Sequence, residues 1–179
     1  MKKIFTVLIV SMVGLLAGCT SSPKTTHNLE FDFASVKSYS LFPRESKFSE
    51  LQRMNDFERN RIELALEQQM ESIGLEYKEL EESDVVVTYF LVGNSLRNLQ
   101  QYNKGVKACI ACTPKEQLAL NKEVRTSMLI IDVLDRETKT TVFRGMQKID
   151  LDVEENSEEQ NVEVIRVVSE ILTLLPIKH

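Results

Sequence analysis

The chain has 179 residues, a net charge of −5, 42% hydrophobic and 27% charged residues, three Cys, two His and no Trp. That length suits one domain with its own core rather than two. The acidic balance argues against a nucleic-acid binder, and two His leave little for His-based catalysis or a His-rich metal site.

Lys2 and Lys3 form a positive start, followed by an apolar run from Ile4 to Leu16. A membrane-spanning helix needs roughly 20 apolar residues, so this stretch has the length of a signal peptide's hydrophobic region. It ends in Leu16-Ala17-Gly18-Cys19. Small residues fit an extended chain into a peptidase groove, and the Cys thiol is an acylation site. The box resembles the bacterial lipobox, which implies a signal peptide over 1–18, cleavage before Cys19 and covalent lipid on Cys19. Thr20 stands where lipoproteins kept at the inner membrane often carry Asp, so it implies release to the outer membrane. The polar stretch 19–28 is expected to be a flexible tether, and 29–179 a single domain. From Thr20 to Asn28 such a tether would reach at most about 30 Å.

Leu29, Phe31 and Phe33 alternate with Glu30, Asp32 and Ala34, and the alternation resumes from Val36 to Phe42. This predicts two short strands, or one bent strand, stopped by Pro43. Residues 44–55 read as irregular. A helix is predicted over Asp56–Ile73, capped by Asp56 and stopped by Gly74, with Ile62, Ala65, Leu66, Gln69 and Ile73 on one face beside Met70. Leu75–Lys78 is a short strand candidate. Asp84–Val92 is nearly continuous in β-branched and aromatic residues and predicts a strand central in a sheet.

The 93–125 stretch is long for a connection without structure of its own. Thr113-Pro114-Lys115-Glu116 has the form of a capping box and predicts a short helix over Pro114–Asn121. Thr126–Leu134 and Thr140–Asp150 then form a hairpin around Asp135-Arg136-Glu137-Thr138-Lys139. Gly145 reads as a bulge or a close backbone approach. Beyond an acidic link, Ser157-Glu158-Glu159-Gln160 is a second capping box. Val162, Ile165, Val168, Leu172 and Leu175 form a helical face, widened by Val164, Val167 and Ile171 and ended by Pro176. The order predicts an α+β fold: a largely antiparallel sheet of about five to six strands, two main helices on one face, and a short helix in the long connection.

Cys109 and Cys112 are the only cluster with chemical potential. In an exported chain a disulfide is the first expectation, although so small a loop stabilises little. Incidental thiols and a redox or metal role are the alternatives, but a metal needs four ligands and only two are at hand. Asp132, a charge in an apolar strand, finds a natural partner in Arg144 on the opposite arm of the hairpin, as a structural ion pair or, less simply, a ligand site. Leu99, Tyr102 and Val106 are candidates for a partner surface under the long connection. No G-x-S-x-G, H-E-x-x-H, P-loop or G-x-G-x-x-G occurs. No catalytic residue, metal site or cofactor is assigned, apart from the lipid on Cys19.

Leu129-Ile130-Ile131-Asp132-Val133-Leu134-Asp135 with Val142-Phe143-Arg144-Gly145 resembles the closing hairpin of the DUF 4136 lipoprotein family. Phe31-Asp32-Phe33 with Val36-Lys37-Ser38-Tyr39 resembles its opening, Arg61-Ile62 through Gly74 its first helix, Asp84-Val85-Val86-Val87 its central strand, and Leu174-Leu175-Pro176 its end. Phe143 stands where the family usually has Trp, and Ser127-Met128-Leu129 where it has Gly-Thr-Leu. The resemblance implies a bacterial envelope lipoprotein with an α+β domain and supplies no catalytic residues. The expectation is a non-enzymatic binding or interaction module, tethered to the outer membrane and facing the periplasm. Its partner would be an envelope protein, a lipid or peptidoglycan, and no nucleic acid. The alternative is a periplasmic thiol redox or metal-handling protein using Cys109 and Cys112.

Overall fold

A computed structural model describes residues 22–46, 51–52, 54–93, 97–108, 124–151 and 156–177. The signal segment expected over 1–18, Cys19, Cys109, Cys112 and the helix expected over Pro114–Asn121 lie outside the described residues. Six strands, β1 (Lys24–His27), β2 (Ser38–Leu41), β3 (Glu76–Tyr77), β4 (Val85–Val92), β5 (Met128–Asp135) and β6 (Thr141–Lys148), form one sheet in the order β1-β6-β5-β4-β2-β3. Among the described residues three α-helices accompany it: α1 (Asp56–Ser72), α2 (Arg97–Gly105) and α3 (Ser157–Leu172).

The fold is α+β, but the sheet is mixed rather than largely antiparallel. β1, β6, β5 and β4 pair antiparallel in succession, whereas β2 pairs parallel with both β4 and β3. The cause lies in the connection. Antiparallel neighbours are joined by tight turns, and parallel neighbours need a crossover. The chain leaves β2, runs through α1, re-enters the sheet as β3 on one side of β2, and then returns as β4 on the other. Asp84 fixes this junction. Its Oδ2 accepts the backbone N–H groups of Lys37 and Ser38 and the Ser38 hydroxyl, each at 2.9 Å.

The segment expected to be tether also differs. Lys24–His27 is an edge strand, with Lys24 opposite Met146 and His27 opposite Phe143. The strand expected over residues 29–34 is instead a turn and a short 3-10 helix, Phe33–Ser35. Asn28 Oδ1 accepts from Glu30 N at 2.9 Å and Asp32 Oδ1 from Ala34 N at 3.1 Å. Such local side-chain bonds compete with a strand ladder. Phe33 is nevertheless buried in the core and meets Phe31 edge-on, centroids 4.8 Å apart.

Both main helices form where expected, each capped one residue earlier. Asn55 Oδ1 accepts from Glu58 N at 3.0 Å while Glu58 Oε2 accepts from Asn55 N at 2.9 Å. In α3, Asn156 takes the N–H groups of Glu158 and Glu159. Ser157, freed from capping, accepts from Arg61 Nη2 at 2.7 Å, and Gln160 Oε1 from Nη1 at 2.6 Å, so Arg61 ties the two helix starts together. Gly74 stops α1 with φ 81°, while Leu75 N donates back to Met70 O at 3.1 Å. The buried stripe of α3 is Val164, Val167, Val168, Ile171 and Leu172; Val162 and Ile165, expected on it, are exposed.

β4 and β5 are buried on both faces, so the sheet has two cores. Val85, Val87, Tyr89, Leu129, Ile131, Val133 and Phe143 meet α1 and α3. Val86, Phe90, Val92, Met128, Ile130, Leu134 and Met146 meet Leu99 and Tyr102 of α2, with Val106 and Val124. A register shift between Val133 and Leu134 places the bulge near Val142, and Val142 and Phe143 both enter the first core. Gly145 is the close approach: a Cβ there would overlap the Ile171 side chain.

Candidate functional site

One row of the sheet carries polar residues on the second face. Thr88, Asp132, Arg144 and Thr26 stand opposite one another across β4, β5, β6 and β1. Arg144 Nε donates to Asp132 Oδ1 at 2.7 Å and Nη2 to Oδ2 at 2.9 Å, a two-pronged pair. The side chains are 3% and 0% exposed. The Tyr102 hydroxyl donates to Asp132 Oδ2 at 2.8 Å, and Arg144 Nη2 also reaches Asn103 Oδ1 at 2.8 Å. Burial, and then the Asp132 charge, push the Tyr102 phenol far above its ordinary range. Desolvation acts to lower the Arg144 guanidinium, but the Asp132 carboxylate beside it outweighs this and holds it cationic.

This network is sealed. The ring of Tyr102 stacks on Phe90, centroids 4.7 Å apart, and Leu99, Tyr102 and Val106 are 1%, 0% and 0% exposed. The three residues expected to offer a partner surface are therefore part of the second core. Their spacing of three and four is that of a helix face turned inward. Tyr102 and Asn103 bring α2 to the sheet through polar bonds, and Leu99 through apolar contact.

A second polar centre lies under the connection from β2 to α1, at the carboxyl end of the parallel pair β2–β4. Glu63 and Arg59 stand on the buried side of α1, 7% and 9% exposed. Glu63 Oε1 accepts the Tyr89 hydroxyl at 2.8 Å. Its Oε2 accepts Arg44 Nε at 2.7 Å and also Arg44 Nη2, which reaches Asn60 Oδ1 at 2.7 Å. Burial and the Glu63 charge push the Tyr89 phenol upward; the hydrogen bond to Glu63 raises the Arg44 guanidinium. The Gln52 amide N–H donates to Tyr89 O. A shallow cleft opens to solvent here, lined by Ser46, Gln52, Arg59, Glu63 and Tyr89, among others; its volume of about 10 Å³ has room for little more than one water molecule. Two buried atoms beside it, Ser46 Oγ and Gln52 Oε1, have no hydrogen-bond partner among the described residues.

The helix period alone carried a signal for this centre, because Arg59 and Glu63 fall among the apolar positions Ile62, Leu66 and Met70. Ser46 and Gln52 carried none, lying in a stretch without periodicity. Cys19, Cys109 and Cys112 fall outside the described residues. Among the described residues no group of three or more His, Cys, Asp or Glu is arranged to hold a metal.

Comparison with known proteins defines the lineage. A DUF4136 family protein of known structure from Bacteroides thetaiotaomicron superposes with a TM-score of 0.57 at 11% identity, over 86% of this chain and 95% of that one. A PDZ domain protein from Parabacteroides distasonis gives 0.47 at 13% identity, over 96% of this chain and 40% of that one. A PelC dodecamer from Paraburkholderia phytofirmans gives 0.44 at 7% identity, over 89% of this chain and 100% of that one. No curated protein matches the chain. The family model described as "Domain of unknown function (DUF4136)" matches residues 23–177, nearly the whole of the sheet and its helices, and the chain belongs to that family.

Proposed function

We propose that the protein is a bacterial lipoprotein: cleaved before Cys19, acylated there, released to the outer membrane, and presenting its α+β body to the periplasm as a non-enzymatic binding or interaction module. The observation that carries this reading is Leu16-Ala17-Gly18-Cys19 placed directly after Lys2-Lys3 and the apolar run. Several acyl chains on one Cys anchor firmly, because each buried CH₂ contributes about 0.8 kcal/mol. The start of β1 at Lys24 leaves only residues 20–23 between the lipidated Cys and the sheet. From Cys19 to Lys24 the chain spans at most about 18 Å. The body would thus be held close to the lipid surface, where its β1 edge and the neighbouring loops meet partners fixed in the same envelope.

Intact mass spectrometry of the protein extracted from membranes tests the proposal. The expected product starts at Cys19 and carries acyl mass, and Cys19→Ser releases it to the soluble fraction. A soluble, unacylated wild-type chain overturns the address. Alkylation with and without prior reduction reads Cys109 and Cys112 in the same sample. A closed pair is expected; two thiols open to alkylation without reductant would favour a redox or metal-handling role.

A further inference from the structure

On the reading that Cys19 carries lipid, we propose that the outer face of α1 and α3, over the turns nearest their starts, rests on the lipid surface that holds the anchor, a bilayer of zwitterionic headgroups. The two helices lie side by side with their starts together, because Arg61 reaches both Ser157 and Gln160. The side of this pair turned away from the sheet is not uniform. Phe57 and Leu64 of α1 are 77% and 57% exposed, and Val162 and Ile165 of α3 are 62% and 41% exposed. Beyond Leu64 the exposed residues of α1 are Gln68, Glu71 and Ser72, and beyond Ile165 no residue of α3 is exposed until Thr173, just past its end. The exposed apolar surface of both helices therefore gathers in the half that begins them. Large apolar side chains held in water are unfavourable, and a lipid interface takes them up.

That half lies at the end of the sheet where the anchor enters. Lys24, the first residue of β1, stands opposite Met146 near the end of β6. Just past β6, Asp150 N donates to Glu163 Oε1 of α3 at 3.2 Å, and Asp150 and Val162 border one open depression of the surface. The tether and the helix starts thus share one end of the molecule. From Cys19 to Lys24 the chain spans at most about 18 Å. The far end of α3 lies about 24 Å beyond its start. The helix starts therefore stay within reach of the lipid surface, while the far ends are carried away from it.

Charge selects the kind of surface. Asp56, Glu158 and Glu159 are exposed at the helix starts, while Lys24 and Lys148 are exposed at the sheet end beside them. Arg61, set among the four apolar residues, already donates Nη1 to Gln160 and Nη2 to Ser157. The rim thus offers both signs, with acids in the majority. A strongly anionic surface would repel the helix starts, whereas headgroups that carry an ammonium and a phosphate complement both signs.

The test places the full lipidated protein on phosphatidylcholine vesicles whose acyl chains carry bromine, a contact quencher of Trp. The chain has no Trp, so a single replacement supplies the only indole emission. Phe57→Trp and Val162→Trp, both at exposed positions, are expected to lose at least about half of their emission relative to unbrominated vesicles, because a side chain held at the interface sits at the boundary of headgroup and acyl chain. Leu174→Trp, 48% exposed past the end of α3, should lose none. Vesicles of brominated phosphatidylglycerol should quench Phe57→Trp less than those of brominated phosphatidylcholine. No quenching at Phe57 and Val162, equal quenching at Leu174, or stronger quenching by phosphatidylglycerol would overturn the assignment. Emission of Phe57→Trp that responds to protein concentration and not to bromine would put a second copy of the chain on this face, and would overturn it too. Sedimentation with the vesicles reads the anchor separately. A chain left in solution refutes the address and this orientation with it, while a chain that sediments with Phe57→Trp unquenched refutes the orientation alone.

Discussion

At the residue scale, the strongest constraint is the pair Asp132–Arg144. Each charge has lost its water, and each is satisfied by the other together with Tyr102 and Asn103. Asp132→Asn removes one charge and strands the other, and should cost roughly 3–5 kcal/mol in denaturant unfolding. The double change Asp132→Leu with Arg144→Met removes both charges and should recover most of that loss. A double mutant no more stable than Asp132→Asn would mean that the network supplies more than mutual neutralisation. Asp84 offers a milder, pH-dependent case. Burial alone would raise its carboxyl, but the hydrogen bonds from Lys37 and Ser38 outweigh burial and hold it below the usual carboxylate range. A carboxyl depressed on folding stabilises above its unfolded pKa, and that stabilisation is lost as pH falls through the folded value. Asp84→Asn should therefore cost roughly 1 kcal/mol at neutral pH, discounted for solvent screening. The gap between wild type and variant should narrow as pH drops below the ordinary Asp value of about 4.

At the scale of elements, the sheet is unevenly secured. β5 is buried along its length and hydrogen-bonded on both sides, whereas the side chains of β1 are almost all exposed and its ladder is one-sided. Local opening follows this difference, because few buried contacts oppose the loss of a one-sided ladder. Hydrogen–deuterium exchange should find the paired amides of Lys24–His27 exchanging far faster than those of Leu129–Val133; equal protection would mean that β1 opens only with the whole sheet. The same unevenness governed what could be read from sequence. β4, β5 and β6 and both long helices declare themselves, because a strand or helix that buries much apolar surface must show it as periodicity. β1 buries almost nothing, and its Lys-Thr-Thr-His reads as tether. α2 carries Leu99 and Tyr102 at helical spacing, but Asn98, Gln100, Gln101 and Asn103 obscure the helix around them. From sequence alone its inward face therefore reads as a surface.

At the scale of the whole molecule, the described strands and helices hold two buried polar centres with different prospects. The Asp132–Arg144 centre is closed by α2 and serves the fold. The Arg59–Glu63 centre stands beside a shallow cleft open to solvent. Attachment at Cys19 would hold this body within about 18 Å of the lipid surface, measured to the start of β1. Reach would then be set by the body rather than by the tether, and release of Cys19→Ser from membranes is the expected consequence of losing the anchor. By itself, the sequence determined the α+β class, the main helices, the central strands, the family and the Asp132–Arg144 pairing. All of these rest on local periodicity or on a partner one hairpin away. Only the tertiary structure decided that β2 runs parallel to β4, that β1 closes the sheet edge, that Leu99, Tyr102 and Val106 face inward, and that Ser46, Gln52 and Arg59 share one cleft. Each of those depends on contacts between segments whose separate patterns carry no record of one another.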